Sequence, residues 1–190
     1  MSRPNLPLCS RGFVMLELIK TSRIEDGSEV AAEVDALLND AFPEGAPNER
    51  SAYYSRHGVP TTSMLLSDGG RAVGHLAIYQ RDIKIGEEAL RVGLLGEIAI
   101  AADRRGAGLA RRLVRQAHEN LRARSIPFAI LFAFEPRVYV SSGYKLMQNQ
   151  TRFIDKDGHC KTLIYRGGMY AELLGRPWPN QSIDLCGTVV

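Results

Sequence analysis

The sequence predicts one α/β (α+β) domain built around a mixed sheet. Long apolar stretches over 73–85 and 90–101, separated by the turn signal Gly86-Glu87-Glu88, predict neighbouring antiparallel strands. Residues 90–134 then follow the order strand, loop, helix, strand, which predicts a right-handed crossover between parallel strands. A length of 190 residues suits a single domain, 1–190, better than two.

The first third of the chain carries one clear helical pattern. Asp26 or Ser28 can cap a helix over 29–39, whose apolar residues recur at helical spacing. A second short helix is predicted over 49–57, and short strands over 16–19 and 61–67. Residues 1–14 are predicted to be a flexible leader, because Pro4, Pro7 and Gly12 interrupt them.

The last half begins with an amphipathic helix. Leu109, Leu113, Ala117 and Leu121 recur every fourth residue and form one buried face. A buried strand over 127–134, a short helix over 135–142 and strands from 143 and over 162–165 follow. Residues 176–190 contain two prolines and a glycine and are predicted to be an irregular tail.

Composition excludes several classes of protein. Hydrophobic residues make up 45% and charged residues 24%, which is ordinary for a globular protein. The net charge of +3 is mild, and no apolar run reaches the ~20 residues of a membrane span. Cys9, Cys160 and Cys186 have no zinc-site spacing, so we expect no metal, reduced thiols and a cytoplasmic protein.

The loop between the strand over 90–101 and the following helix predicts an anion site. Gly106 and Gly108 let an anion approach the backbone, and the helix N-terminus offers unpaired N–H groups. Arginines add positive charge around it; they are Arg104, Arg105, Arg111 and Arg112. The spacing matches neither the P-loop nor the dinucleotide fingerprint. A pyrophosphate is the expected ligand, and a tight structural turn is the alternative.

This loop resembles the [Q/R]-x-x-G-x-[G/A] signature of the GNAT superfamily, which Arg105, Gly108 and Ala110 match. The resemblance implies a GNAT-like mixed, mostly antiparallel central sheet flanked by helices on both faces. It also implies that acetyl-CoA or another acyl-CoA is the acyl donor. The implied cofactor-binding residues are Ile98, Ala99 and Ile100 for the pantetheine arm, and Arg105, Gly106, Ala107, Gly108, Leu109, Ala110 and Arg111 for the pyrophosphate.

Tyr139 is the candidate general acid. The segment Tyr139-Val140-Ser141-Ser142-Gly143-Tyr144 resembles the family's Y-x-x-x-G-[F/Y] element, whose tyrosine stands near the sulfur of coenzyme A in many members. A thiolate leaving group gains from a nearby proton donor, and a phenol can serve as one. A packed aromatic side chain on a short helix is the alternative.

Glu97 and His75 are the candidates for the general base. Glu97 is the single charge in an apolar strand, so desolvation should raise its pKa toward the range that suits base chemistry. Several members of the family that the loop resembles use a glutamate on this strand. The alternatives for Glu97 are an outward side chain or an ion pair that holds substrate. His75 also lies in an apolar strand, where packing alone can explain a histidine.

A second resemblance joins shorter pieces of the chain. The pieces that are similar to parts of the rhizobial nodulation N-acyltransferases are His75, Arg81 with Ile83-Lys84-Ile85-Gly86, Glu97, the glycine loop, Ile126-Pro127-Phe128-Ala129 and Trp178-Pro179. These enzymes transfer a fatty acyl chain to an amine of a chitin oligosaccharide. We interpret the likeness as a shared branch of the superfamily and not as a shared substrate.

The expected function is N-acyl transfer from acyl-CoA to a primary amine of a small molecule or peptide. A catalytically inactive acyl-CoA sensor of the same fold is the alternative, and nucleic-acid binding by the arginine-rich helix is a third and weaker hypothesis. Residues 43–48, Tyr53 and Tyr54 are expected to border the acceptor site, because the family places that region beside the thioester. Dimers are common in the family, which leaves a homodimer open.

Overall fold

The computed structural model describes residues 16–21, 24, 28–42 and 59–190. The predicted leader, the predicted helix over 49–57 and the residues expected to border the acceptor site lie outside these ranges. Within them the strands are β1 Glu17–Thr21, β2 Thr62–Asp68, β3 Arg71–Ile85, β4 Glu88–Ile100, β5 Phe128–Phe132, β6 Lys145–Leu146, β7 Gln150–Ile154, β8 Cys160–Ile164, β9 Gly168–Glu172 and β10 Ile183–Thr188. The helices are α1 Glu29–Ala41, α2 Leu109–Ala123 and the short α3 Arg137–Val140.

The described strands form one mixed, mostly antiparallel sheet, which confirms the predicted class. Its order is β6-β9-β5-β4-β3-β10-β7-β8, with β2 and β1 following the first part of β3. The long strands β3 and β4 are antiparallel, and β4 and β5 are parallel across the connection through α2. The predicted crossover is therefore present.

Both longer helices pack on one face of the sheet. Ser28 caps α1, since its Oγ accepts a hydrogen bond from the backbone N–H of Ala31 at 3.1 Å. The apolar faces of α1 and α2 share one core cluster with alternate residues of β3 and β4. A Cβ at Gly93 of β4 would lie 2.5 Å from the side chain of Leu121, so glycine there allows the close approach of α2.

In the described part of the chain, strands and the segments between them cover the other face of the sheet, while the predicted helix over 49–57 lies outside that part. In the described residues, the second core cluster takes its members from β3, β4, β5, β7 and β10 and the segments between strands, and none from a helix. Trp178 closes this cluster: its ring stacks on Tyr170 at 4.5 Å and meets Phe128 edge-on at 5.0 Å. Its indole Nε1 donates to Asn149 Oδ1 at 2.8 Å. The tryptophan therefore covers the sheet.

The prediction of an irregular tail over 176–190 is wrong in part. Residues 183–188 form β10, which pairs with the last residues of β3 and with β7. The Arg81 guanidinium holds the strand in place by donating to Thr188 O at 2.6 Å. Prolines 177 and 179 precede the strand and do not interrupt it, which is why their presence misled the prediction.

Candidate active site

The connection from β4 to α2 contains the glycine turn and the helix start on which the predicted anion site depends. Gly106 and Gly108 have φ of +78° and +75°, and a Cβ at either position would meet no atom within 4 Å. Gly108 is the N-cap of α2 and offers no side chain to the first turn. The N–H groups of that turn have no partner within the helix, so they face the open space in front of the loop.

A cavity of about 570 Å³, here called the loop cavity, lies in front of this turn. All of the predicted cofactor-binding residues except Ala107 line it. Phe42 and Tyr139 also line it, from the end of α1 and from α3. The structure thus brings the candidate acid to the same cavity as the predicted pyrophosphate loop.

The arginines near the loop have different partners. Arg104 forms an ion pair with Asp68, and the Arg105 Nε donates to Ile100 O at 3.1 Å. Arg112 donates to Leu16 O at 3.3 Å. Arg111 is exposed and lines both the loop cavity and an adjoining groove.

This adjoining groove of about 440 Å³ is here called the arginine groove. Its lining residues are Gly108, Arg111, Arg112, Arg115, His118, Arg122, Ser141 and Ser142. The positive charge predicted around the loop is therefore present, since Arg104, Arg105 and Arg111 line the loop cavity. It continues along α2 in the arginine groove, and Arg104 also holds the β4–α2 connection against the β2–β3 turn.

Strands β4 and β5 separate at the level of the loop cavity. Their parallel pairing runs from Gly93 opposite Ala129 to Leu95 opposite Leu131, whereas β4 continues to Ile100. Backbone groups of β4 beyond this pairing on the β5 side face the gap. The predicted splaying is present, and it leaves an edge that can hydrogen-bond an extended ligand.

Glu97 lies in a β-bulge on this stretch of β4. His75 is opposite Ala99 and Ala77 is opposite Gly96, so Glu97 and Ile98 together face Leu76 alone. Glu97 has φ of +52°, a conformation that costs a non-glycine residue about 1–2 kcal/mol. The bulge was not predicted, because the apolar pattern of the strand continues on both sides of Glu97.

The bulge is held from the neighbouring strand by two side chains. His75 Nδ1 lies 2.9 Å from Glu97 O, and the Tyr79 hydroxyl donates to Glu97 Oε1 at 3.1 Å. Burial lowers the pKa of His75 to about 4, so the ring is neutral at pH 7. Because a carbonyl oxygen can only accept, Nδ1 carries the proton. His75 is completely buried and lines neither of the cavities that contact Tyr139.

A smaller cavity of about 220 Å³, here called the strand cavity, lies on the other side of this gap. It is lined by Glu97 and by Phe42, Leu95, Gly96, Ile98, Leu131, Phe132, Ala133, Phe134, Tyr139 and Val190. Three lining residues, Phe42, Ile98 and Tyr139, are common to the loop cavity and the strand cavity. The two cavities therefore meet at Tyr139.

Tyr139 is mostly buried where the two cavities meet. Burial raises the pKa of its phenol, so the hydroxyl keeps its proton throughout the neutral range. Its ring packs edge-on against Tyr144 at 6.1 Å, and the Tyr144 hydroxyl lies 3.1 Å from His118 Nε2. A protonated phenol in this position can donate to an atom in either cavity.

The residues that sequence analysis missed come from distant parts of the chain. Tyr79, Phe42, Phe134 and Val190 all contact Glu97 or share its cavity. Because side chains alternate between the two faces of a strand, the sequence of β3 could have placed Tyr79 on the same face as Ala77. Nothing in the sequence brings Val190 to Gly96, against which its side chain lies.

Comparisons with known proteins agree with this architecture. The family model described as an acetyltransferase (GNAT) domain matches residues 27–147, more than half of the chain. No curated protein matches the sequence. In the described residues, no helix is long and apolar enough to cross a membrane.

Several solved structures share the fold. A GNAT family N-acetyltransferase from Escherichia coli in complex with CoA is 19% identical, with a TM-score of 0.61 over 90% of this chain and 91% of that chain. A GNAT family acetyltransferase from Brucella melitensis in complex with acetyl-CoA is 18% identical, with a TM-score of 0.57 over 88% and 94%. A GCN5-related N-acetyltransferase from Anabaena variabilis is 18% identical, with a TM-score of 0.54 over 71% of this chain.

The chain covers only 32% of that Anabaena protein and 34% of a similar structure from Enterococcus faecalis, so it spans about a third of their lengths. At these identities the likeness concerns the fold. The match over residues 27–147 goes further, and with the glycine loop, the separated strands and the mixed sheet it identifies the chain as a member of the GNAT acetyltransferase family.

Proposed function

We propose that this protein is an N-acyltransferase that moves an acetyl group from acetyl-CoA to the primary amine of a small molecule. The position of Tyr139 carries the proposal, because this residue lines both the loop cavity and the cavity that holds Glu97. A donor in the first cavity and an amine in the second would meet at its hydroxyl. A longer acyl group is an alternative donor.

The loop cavity fits acyl-CoA. The open positions at Gly106 and Gly108 and the uncapped first turn of α2 suit its pyrophosphate. The edge of β4 over 98–100 can hydrogen-bond the pantetheine amides, and Arg111 and Arg115 can hold the nucleotide phosphates along the arginine groove. Acetyl-CoA supplies a thioester, whose carbonyl carbon is the atom that the amine attacks.

Two side chains account for the protons of the transfer. Glu97 accepts a proton from the amine nitrogen as the N–C bond forms, and the Tyr139 phenol gives its proton to the sulfur as the C–S bond breaks. His75 is a positioning residue in this scheme: its neutral ring holds the carbonyl of Glu97 and thereby the bulge. This favours Glu97 over His75 as the base.

Calorimetry and a thiol-release assay test the proposal together. We expect micromolar binding of acetyl-CoA and free CoA, and release of CoA thiol when an amine is added. Titration with a longer acyl-CoA shows which acyl length the loop cavity prefers. Tyr139→Phe should retain acetyl-CoA affinity and lose turnover by about 10²-fold, the usual size of a general-acid contribution.

Tyr170→Phe is the matched control, since Tyr170 stacks on Trp178 and lines none of the cavities described above. It should leave both binding and turnover unchanged. Binding of acetyl-CoA without turnover of any amine would contradict catalysis and favour an acyl-CoA sensor. Absence of binding would overturn the proposal.

A further inference from the structure

The strand cavity has an aromatic lining. Four of the residues that line this space of about 220 Å³ are aromatic: Phe42, Phe132, Phe134 and Tyr139. Its remaining described lining residues, Glu97 apart, are aliphatic or glycine. A cavity with this lining favours an apolar, flat ligand, because aromatic pairs gain from edge and face contacts beyond simple burial.

Charge restricts the ligand further. Among the described residues that line the strand cavity, Glu97 has the only charged side chain, and none is basic. An ammonium or amine is therefore matched, whereas a carboxylate beside that amine would lie near Glu97, and none of these described residues offers it a cation. Uncompensated burial of a charge is strongly unfavourable. The hydroxyls of an amino sugar and the second ammonium of a polyamine would meet mostly apolar side chains among these described residues.

The volume sets the size of the ligand. A dry protein cavity of about 150 Å³ holds a benzene ring. The strand cavity, at about 220 Å³, has room for one ring and a short arm that carries the amine to Glu97.

The exposure of Phe134 indicates where the ring of the ligand would lie. The Phe134 side chain is 98% exposed, the largest exposure among the large hydrophobic residues of the described chain. It stands between the strand cavity and an outer groove of about 770 Å³, and it lines both. A ligand ring at this mouth would cover apolar surface that water now contacts, which is favourable.

We propose that the acceptor is a small arylalkylamine, with its amine at Glu97 and its ring among Phe42, Phe132 and Phe134. The inference rests on the proposed acyl transfer and names the substrate class for that same site. The bonds formed and broken are those described above, and the ring takes no part in them.

A matched pair of amines tests the substrate class. 2-Phenylethylamine and phenylalanine share the ring, the arm and the amine, and phenylalanine adds a carboxylate. At saturating acetyl-CoA we expect kcat/KM for 2-phenylethylamine to exceed that for phenylalanine, spermidine and glucosamine by about 100-fold. Calorimetric titration of 2-phenylethylamine into the protein saturated with free CoA should show binding, and this readout does not depend on turnover.

Two variants locate the ligand in the strand cavity. Phe134→Ala should raise KM for 2-phenylethylamine about tenfold and leave KM for acetyl-CoA unchanged. Leu163→Ala, an exposed apolar residue on β8 that lines none of the cavities, is the control and should change neither. Val190→Lys would add an ammonium beside Gly96, and it should shift the preference toward phenylalanine.

The outcomes separate the two proposals. A polar amine as the best acceptor, or an unchanged KM in Phe134→Ala, would overturn the arylalkylamine and leave the transfer intact. Binding of 2-phenylethylamine without transfer to any amine would support the ligand class and overturn the transfer. If 2-phenylethylamine is neither bound nor acetylated, the inference is overturned.

Discussion

The loop cavity and the strand cavity meet at Tyr139 but carry charged side chains of opposite sign. The loop cavity combines a mostly apolar lining with arginines and the uncapped first turn of α2, and it suits an anionic ligand with an apolar arm. The strand cavity is formed by aromatic and aliphatic side chains around one carboxylate, and it suits an apolar amine. Each cavity is therefore unfavourable for the ligand that suits the other cavity. The comparison teaches that charge can sort two substrates to the two sides of one tyrosine, which is the proposed proton donor.

The largest expected effect comes from a change confined to the strand cavity. Glu97→Gln removes the proton acceptor and keeps an oxygen for the Tyr79 hydroxyl. We expect kcat to fall by about 10²–10⁴-fold, as for loss of a general base, with unchanged acetyl-CoA affinity. Thiol release and calorimetry measure the two quantities. A kcat within a few-fold of the wild type would show that another group accepts the amine proton. A loss of acetyl-CoA affinity as large as the loss of kcat would show that the strand cavity and the loop cavity are not independent.

The next effect concerns the pH dependence of stability, to which two buried histidines contribute. Burial lowers the pKa of His75, beneath the bulge, and of His118, beside the arginine groove, from 6.5 to about 4. The unfolded chain therefore binds protons at a pH where the folded protein does not. The stability that these neutral rings contribute is complete above pH 6.5 and is lost as the pH falls toward 4, by up to about 3 kcal/mol for each ring.

Urea unfolding at pH 7.5 and pH 5 measures this loss. His75→Gln and His118→Gln should each reduce the pH dependence of the free energy of unfolding between those values. We expect His75→Gln also to raise KM for the amine, because the support of the bulge is changed. An unaltered pH dependence in either variant would contradict the assignment for that ring.

A smaller effect is expected from a change confined to the loop cavity. Gly108→Ala places a methyl group in the open space where an anion would approach, and the left-handed conformation costs alanine about 1–2 kcal/mol. We expect the acetyl-CoA Kd to rise about tenfold, while the KM for the amine stays the same. Calorimetry and initial rates measure these quantities.

Gly158→Ala is its control. Gly158 has φ of +82° and equally open surroundings, but it lies in the turn between β7 and β8, away from the cavity. It should show the same loss of thermal stability with unchanged affinity. Equal affinities in the two variants would mean that the loop does not contact the donor.

The smallest effect should come from the support of Val190. Arg81→Met removes the hydrogen bond to Thr188 O that holds the end of β10. We expect only a several-fold rise in KM for the amine and no change in acetyl-CoA affinity, because the bond acts on the strand cavity indirectly, through the position of β10. Initial-rate kinetics check it. Loss of acetyl-CoA affinity instead would show that β10 supports the loop cavity.

The loop cavity could largely be predicted from the sequence because its parts are close together in the chain. Residues 98–111 supply the strand edge, the turn and the helix start, and the glycines at 106 and 108 mark the turn. The mixed sheet followed from the same stretch, since a strand–helix–strand order fixes the parallel pair. The catalytic roles of Glu97, Tyr139 and His75 stay predictions.

The strand cavity could not be predicted, because tertiary packing alone assembles it. Phe42, Glu97, Phe134 and Val190 come from four separate segments. The bulge at Glu97 depends on the register between β3 and β4, which no periodicity records. The prediction of irregular structure over 176–190 hid β10, whose pairing partners lie about 30 and 100 residues away.

The hydrogen bond between Arg81 and Thr188 spans 107 residues of sequence, and this has a consequence for the order of assembly. During synthesis the segments that form the loop cavity leave the ribosome first, and β3 can pair with β4 at once. The part of the strand cavity that Val190 lines can form only after about fifty further residues beyond Tyr139 have been synthesised. Contacts of such long sequence separation form slowly, since closing a large loop costs chain entropy before it is rewarded. A nascent chain can thus form the loop cavity before the strand cavity is complete, so the proposed donor side matures before the proposed amine side.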